Sequence, residues 1–335
     1  LRATEGAQLR LKTYVRRNLR QLRTIDMIEI KRDEFYEGLD PVGPVSDLRV
    51  SIPEKSGIEE RIEALLKPAV DSPTSVLALD SYRYSQKGFV AQTIIPLILR
   101  DIHRMTETTL KTRERMFFPT STFIPRIDTG DGAFLIFPAP IHALLYAIWF
   151  EIHLRIFNSY RLTPQMRALV GSLTVRYALT HDALVKIEPT GDDPADNQFY
   201  GPAIINAARI VAQDKLNRFL LSEQAFDWFT HLFTGIENLQ SLSAQEIAQV
   251  MSVYYPNPAS SIAHAKQSIL GNHPDQHYGL TTCDVQQIGE IQTKDRNLAI
   301  YNLHIQALAA LLPASDSSDE IRVTVSIGNQ NPLGL

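Results

Sequence analysis

Ser75-Val76-Leu77-Ala78-Leu79-Asp80-Ser81-Tyr82 is an apolar run that closes on a carboxylate, and it reads as a buried strand. A charge at the end of such a strand is costly unless something binds it. Further along stands Asp128-Thr129-Gly130-Asp131-Gly132, a tight turn, followed at once by the apolar Ala133-Phe134-Leu135-Ile136-Phe137. The turn separates two expected strands, 117–126 and 133–137. If these strands lie beside the first in one sheet, Asp80 and Asp131 converge at one sheet edge. Two hard carboxylates there suit Mg²⁺ or Mn²⁺, with substrate phosphates completing the shell. Each aspartate alone reads equally well as an ordinary turn residue.

Working outward, helical periodicity runs over 89–110 and 140–160. Residues 173–187 read as a strand pair or one bent strand, and 200–213 as a helix. A short strand over 218–221 precedes Ser222, a suitable helix cap. Strands are expected at 298–304 and 321–327. Before them 239–272 is mostly helical, with a break at Pro256 and Pro258. The central order β-α-β-β-α-β-α-β gives an α/β (α+β sandwich) fold, a mostly antiparallel sheet with flanking helices. Residues 1–70 form an N-terminal helical extension and linker, which includes a short helix at 58–66. Residues 71–310 form the main domain, with a helical insertion at about 236–275. Residues 311–335 form a tail with a strand. The basic amphipathic pattern of 1–25 reads as a packed terminal helix or, less simply, a membrane-surface one.

The 335 residues are 44% apolar with a net charge of −4, so no global positive field draws nucleic acid or anionic lipid. Cys283 is the single cysteine, which excludes an intramolecular disulfide and a thiolate zinc cluster and fits a reducing cytoplasm. The oily stretch 141–157 is interrupted by His142, Glu151, His153 and Arg155, so no membrane span is expected. Nor do the opening residues carry a signal-peptide pattern. His264, His273 and His277 read as solvated or capping histidines rather than a zinc site, since Pro274 breaks the helical spacing.

A third element changes the weight of the two aspartates. Tyr200-Gly201-Pro202-Ala203-Ile204-Ile205-Asn206-Ala207-Ala208-Arg209 opens a helix with small residues and carries one arginine, whose planar fork suits phosphate. Taken in order, LALDSYRYS (77–85), DTGDGAFLIF (128–137), YGPAIINAAR (200–209) and RFLLSEQAF (218–226) resemble the class III nucleotidyl cyclases. The resemblance covers roughly 75–225, with an echo at 298–304. It implies two divalent cations, Mn²⁺ or Mg²⁺, held by Asp80 and Asp131 with help from the Ser81 carbonyl. It implies that Arg209 stabilises charge on a nucleoside triphosphate, in a head-to-tail homodimer that shares its active sites. Lys294 would hold the γ-phosphate, or is a surface lysine.

The departures from the family pattern carry information. The family's asparagine position falls on Ile205, with Asn206 one place later, so either Asn206 takes that role or the contact is missing. The purine-reading lysine position falls on Ile127, with Arg126 beside it, and the partner position on Gln198, which can both donate and accept. Tyr84 and Ser85 keep the family's aromatic-hydroxyl pair. With the purine pattern absent, the chain looks like the pyrimidine cyclases of bacterial anti-phage signalling (Pycsar systems). That implies UTP, or CTP, as substrate and a cyclic nucleotide that reaches an effector as an alarm. The alternatives are a catalytically degenerate nucleotide-binding or dimerisation module, and a purine cyclase with an unusual pocket.

Overall fold

The computed structural model describes residues 29–30, 55–187, 198–251, 258–271, 278–293, 297–311, 321–331 and 333–335. The expected helix at 1–25, the loop 191–197, Lys294, His273 and His277 lie outside the described residues. The elements run β1 (Glu29–Ile30), α1 (Lys55–Asp71), β2 (Thr74–Ser81), α2 (Phe89–Arg113), β3 (Arg126–Asp128), β4 (Gly132–Phe137), α3 (Pro140–Ile156), α4 (Pro164–Val170) and β5 (Val175–Asp182). They continue with β6 (Val185–Ile187), β7 (Gln198–Tyr200), α5 (Pro202–Gln213), β8 (Phe219–Ser222), α6 (Glu223–Phe233), α7 (Ala244–Val250), α8 (Pro258–Ala265), β9 (Gly279–Gln292), β10 (Asn297–Leu311) and β11 (Ile321–Ile327).

The main sheet has the order β11-β10-β8-β5-β2-β4-β3, with β9 on the free side of β10. All its pairs are antiparallel except β5 with β8, which α5 connects. The expected mixed fold with a mostly antiparallel sheet is therefore the one formed. A small sheet, β1-β6-β7, stands beyond the end of β5.

Period-2 alternation sends β2 side chains to two different cores. Leu77 and Leu79 join the larger one, beneath α2, α3 and α6. Val76 and Ala78 face the other side, where α5 packs through Ala203, Ala207 and Ile210. α3 is buried almost all round, which is why 141–157 is so oily. Its buried Glu151 is met by Arg155 Nε at 2.8 Å and by the Tyr177 hydroxyl at 2.9 Å. Among the described residues no helix is long and apolar enough to cross a membrane.

Several sequence expectations need correction. Of the expected strand 117–126 only Arg126 is extended in the sheet, as the first residue of β3. Phe117 and Phe118 instead close turns onto Glu114 O and bury their rings in the larger core. Residues 173–187 divide into β5 and β6, which belong to different sheets. The strand at 298–304 extends to 297–311. β9 was not anticipated. It is an edge strand with a largely polar sequence, and the β9–β10 register shifts twice, which blurs its alternation. Ser222 does cap α6, accepting from Ala225 N at 3.3 Å.

Candidate active site

The register of the sheet assembles the two aspartates. Asp80 pairs with Gly132 across β2 and β4, and Ser81 N donates to Asp131 O at 2.9 Å. Thr129 N closes the turn on Gly132 O at 3.0 Å. Gly130 has φ +91°, a conformation side-chain-bearing residues rarely adopt. At Gly132 a Cβ would lie 2.0 Å from Leu79 O, so only glycine lets β4 come this close to β2. The glycines on either side of Asp131 thus hold it against the end of β2.

Asp80 shares the α5 side of the sheet with Val76 and Ala78. Burial raises its carboxyl above the usual aspartate range; the hydrogen bond and charge of Arg176 pull it back, and the charge of Asp131 pushes it up again. Arg176 lies opposite Asp80 on β5, and its Nε donates to Asp80 Oδ2 at 2.5 Å. A second donor, Nη1, goes to the carbonyl of Asp214. The sequence reading missed Arg176. Its available signal was position: an arginine near the start of a strand and followed by Tyr177, Ala178 and Leu179, two places before Ala178, on the face that β5 shares with Asp80.

α5 covers the same face. Thr180 Oγ1 donates to Ala203 O at 2.8 Å, which sets the N-terminal end of α5 over the end of β5. The C-terminal end of α5 reaches Asp214, hence Arg176 and Asp80. Arg209, one turn before that end, is partly exposed and makes no hydrogen bond or ion pair among the described residues. Ile205, one turn earlier on the same stripe, is 50% exposed. Asn206 is turned the other way. It is 7% exposed, and its Nδ2 approaches Asp182 Oδ2 at 3.5 Å. α5 runs regularly through 202–213, so no irregularity moves Asn206 onto the Arg209 stripe.

The remaining candidates lie apart. Arg126 pairs with Leu135 and so stands on the α2 side of the sheet, where Asp128 holds its Nε at 2.8 Å. Alternation puts Ile127, not Arg126, on the Asp80 face. Gln198 is exposed on β7, accepting from the Tyr200 hydroxyl at 2.7 Å, near the start of α5 and away from Asp80. The hydroxyl of Tyr84 donates to Gln92 O at 2.6 Å. That carbonyl is the one left without a helical donor by Pro96 in α2.

The donor set fits a divalent cation in one particular way. Among the described residues no three His, Cys, Asp or Glu side chains gather to hold a metal. Two convergent carboxylates, one of them shared with an arginine, leave most of a six-oxygen shell to water and to phosphate oxygens, as Mg²⁺ sites commonly do.

No family model and no curated protein matches the chain. Solved structures similar to it include the adenylyl cyclase CyaB from P. aeruginosa, with a TM-score of 0.40 and 12% identity over 69% of this chain and 93% of that one. The guanylate cyclase domain of RhGC from Catenaria anguillulae, in complex with GTP, gives 0.41 and 10% over 70% and 96%. An adenylate cyclase structure from Trypanosoma brucei, in the monomeric state, gives 0.38 and 15% over 69% and 88%.

Proposed function

We propose that the chain is a nucleotide cyclase that converts a pyrimidine nucleoside triphosphate, UTP before CTP, to its 3′,5′-cyclic monophosphate and pyrophosphate. The observation that carries this reading is the convergence of Asp80 and Asp131 at one strand end, on the sheet face that also bears α5 with Arg209. Asp80, Asp131 and the Ser81 carbonyl would hold Mn²⁺ or Mg²⁺, which would supply the charge that lowers the pKa of the attacking 3′-hydroxyl and offsets phosphate charge. Arg176, fixed by Asp80 and the Asp214 carbonyl, would offer its remaining Nη2 donors to the incoming triphosphate. Arg209 stabilises charge that develops as the bond from the α-phosphorus to pyrophosphate breaks. Because Arg209 has no partner among the described residues, we assign it to the site of a second, head-to-tail protomer. Ile127 stands where the resemblance places the purine-reading lysine and cannot make that lysine's hydrogen bond, and this missing purine contact is what supports a pyrimidine here. The cyclic product would act as a second messenger in anti-phage defence.

A second reading is favoured by one observation. With Ile205 on the Arg209 stripe and Asn206 turned to Asp182, the helix presents no asparagine beside its arginine. A cyclase-like module that binds nucleotide without turning it over would look the same.

The test is incubation of the purified protein with ATP, GTP, CTP and UTP separately, in Mn²⁺ or Mg²⁺, with products identified by mass spectrometry. A cyclic pyrimidine is expected. Asp131→Ala is expected to lose roughly a hundredfold in turnover without unfolding. Mixing that variant with Arg209→Ala is expected to restore part of the activity, because one intact site forms per heterodimer. A cyclic purine would overturn the base assignment. Absence of any cyclic product from a folded dimer would favour the second reading.

A further inference from the structure

We infer that residues 329–331 and 333–335 form a strap that positions Arg176, and through it Asp80, by clamping the turn 214–218. This inference rests on the reading of Asp80 as a metal-holding residue. The turn is tied to the site twice. Its Asp214 carbonyl accepts from Arg176 Nη1, while Arg176 Nε holds Asp80. Its Lys215 carbonyl accepts from the Tyr82 hydroxyl at 3.1 Å, two residues beyond Asp80.

Inside the turn an ion pair is fully buried, Asp214 at 0% and Arg218 at 1% exposure. Asp214 Oδ1 accepts from Arg218 Nε at 3.0 Å and Leu216 N at 3.1 Å, and Oδ2 accepts from Arg218 N at 2.6 Å. A buried pair of this kind gives geometry rather than net stability, because desolvation offsets much of its attraction. The geometry it fixes is that of the carbonyl on which Arg176 rests.

The strap completes the clamp from the far side. Arg218 Nη1 donates to Leu333 O at 2.6 Å. Asn329 Nδ2 donates to Leu216 O at 2.6 Å and to Asn217 O at 3.1 Å, where Asn217 sits at φ +57°. Asn302 Nδ2 anchors Asn329 O at 2.7 Å. Gly328 lets the chain turn into the strap, since a Cβ there would lie 2.2 Å from Leu303 O. Leu333 and Asp80 are thus connected through Arg218, Asp214 and Arg176. Asp214 and Arg218 are positioning residues: neither side chain touches Asp80 or Asp131.

The test uses the full chain, Asn329→Ala, and a chain ending at Asn331, which loses the Leu333 carbonyl. Gln330→Ala is the control, because its side chain bonds Asp284 on β9 and not the turn. The first readout is the ¹⁵Nε–H resonance of Arg176, assigned by its loss in Arg176→Lys. Both strap variants are expected to shift it and to speed its solvent exchange roughly tenfold, the scale of losing one or two hydrogen bonds. The second readout is Mn²⁺ affinity by electron paramagnetic resonance, without nucleotide. A loosened Arg176 competes less well for Asp80, so Mn²⁺ is expected to bind several-fold tighter while kcat falls. General destabilisation would weaken both. An unmoved Arg176 resonance in folded strap variants would overturn the inference, as would a moved resonance with Mn²⁺ affinity unchanged. If the unaltered protein binds no Mn²⁺ and makes no cyclic product, the metal reading fails. The resonance shift then decides by itself whether the strap sets Arg176.

Discussion

Gly132 has no room for a side chain. Its α-carbon faces the Leu79 carbonyl so closely that even a methyl group requires β2 and β4 to part. Gly132→Ala is expected to cost about 1–3 kcal/mol, the usual range for overpacking, and to separate Asp131 from Asp80. Equilibrium denaturation together with the Mn²⁺ titration checks both effects; unchanged values in the two would contradict the close approach. At this scale much of the site was legible. An apolar strand ending on Asp80, and Asp131 framed by two glycines, are local signals. Arg176 was not, because its meaning comes from pairing opposite Asp80, nearly a hundred positions away in the chain. The direction of Asn206 was also hidden, since it depends on which stripe of α5 packs on the sheet.

At the scale of elements, α2 contains its own repair. Pro96 removes one donor from the helix, and Tyr84, in the turn before the helix, supplies a hydroxyl to the stranded Gln92 carbonyl. Tyr84→Phe is expected to lower stability by about 1 kcal/mol and to leave the KM for nucleotide unchanged. A large rise in KM with no loss of stability would instead make the hydroxyl a substrate contact. The long elements were readable because burial on one face imposes a period, as in α2, β4 and β11. Residues 117–125 misled because their aromatic residues fill the core from turns, without strand pairing. β9 escaped because its exposed face carries Thr281, Asp284, Gln286 and Glu290 and its register slips against β10.

Across the whole molecule, four imidazoles and the buried carboxyls together set the response to acid. Burial holds His181 and His103 near pKa 3, with Arg126 adding to the effect at His103, and holds His142 and His153 near 4, with Arg161 adding to the effect at His153. The unfolded chain takes up these protons below about pH 6.5, and the folded one does not until 3–4. Their contribution is therefore complete above about 6.5 and is lost as pH falls through that window, at about 1.4 kcal/mol per unit for each histidine. Glu114, Glu151, Glu107 and Asp80 act in the opposite direction, since burial raises all four carboxyls. Urea midpoints at pH 5 and pH 7.5 give the net slope of stability with pH. His181→Gln is expected to reduce that slope by about one histidine's share, because it removes one group that takes up a proton only on unfolding. An unchanged slope in the variant would contradict the assignment.

The strap has one more consequence, for the order in which the molecule is made. Leu333 meets Arg218 across 115 positions of sequence. Asn329 and Leu333 follow every strand of the sheet in the chain, so this contact closes only after those strands have been made. A nascent chain made only as far as β9 can pair β2 with β4 and β5, yet it holds the 214–218 turn unclamped. Such a chain would have much of its sheet before its chemistry, and would acquire Arg176's final geometry only once Asn329 and Leu333 had been added.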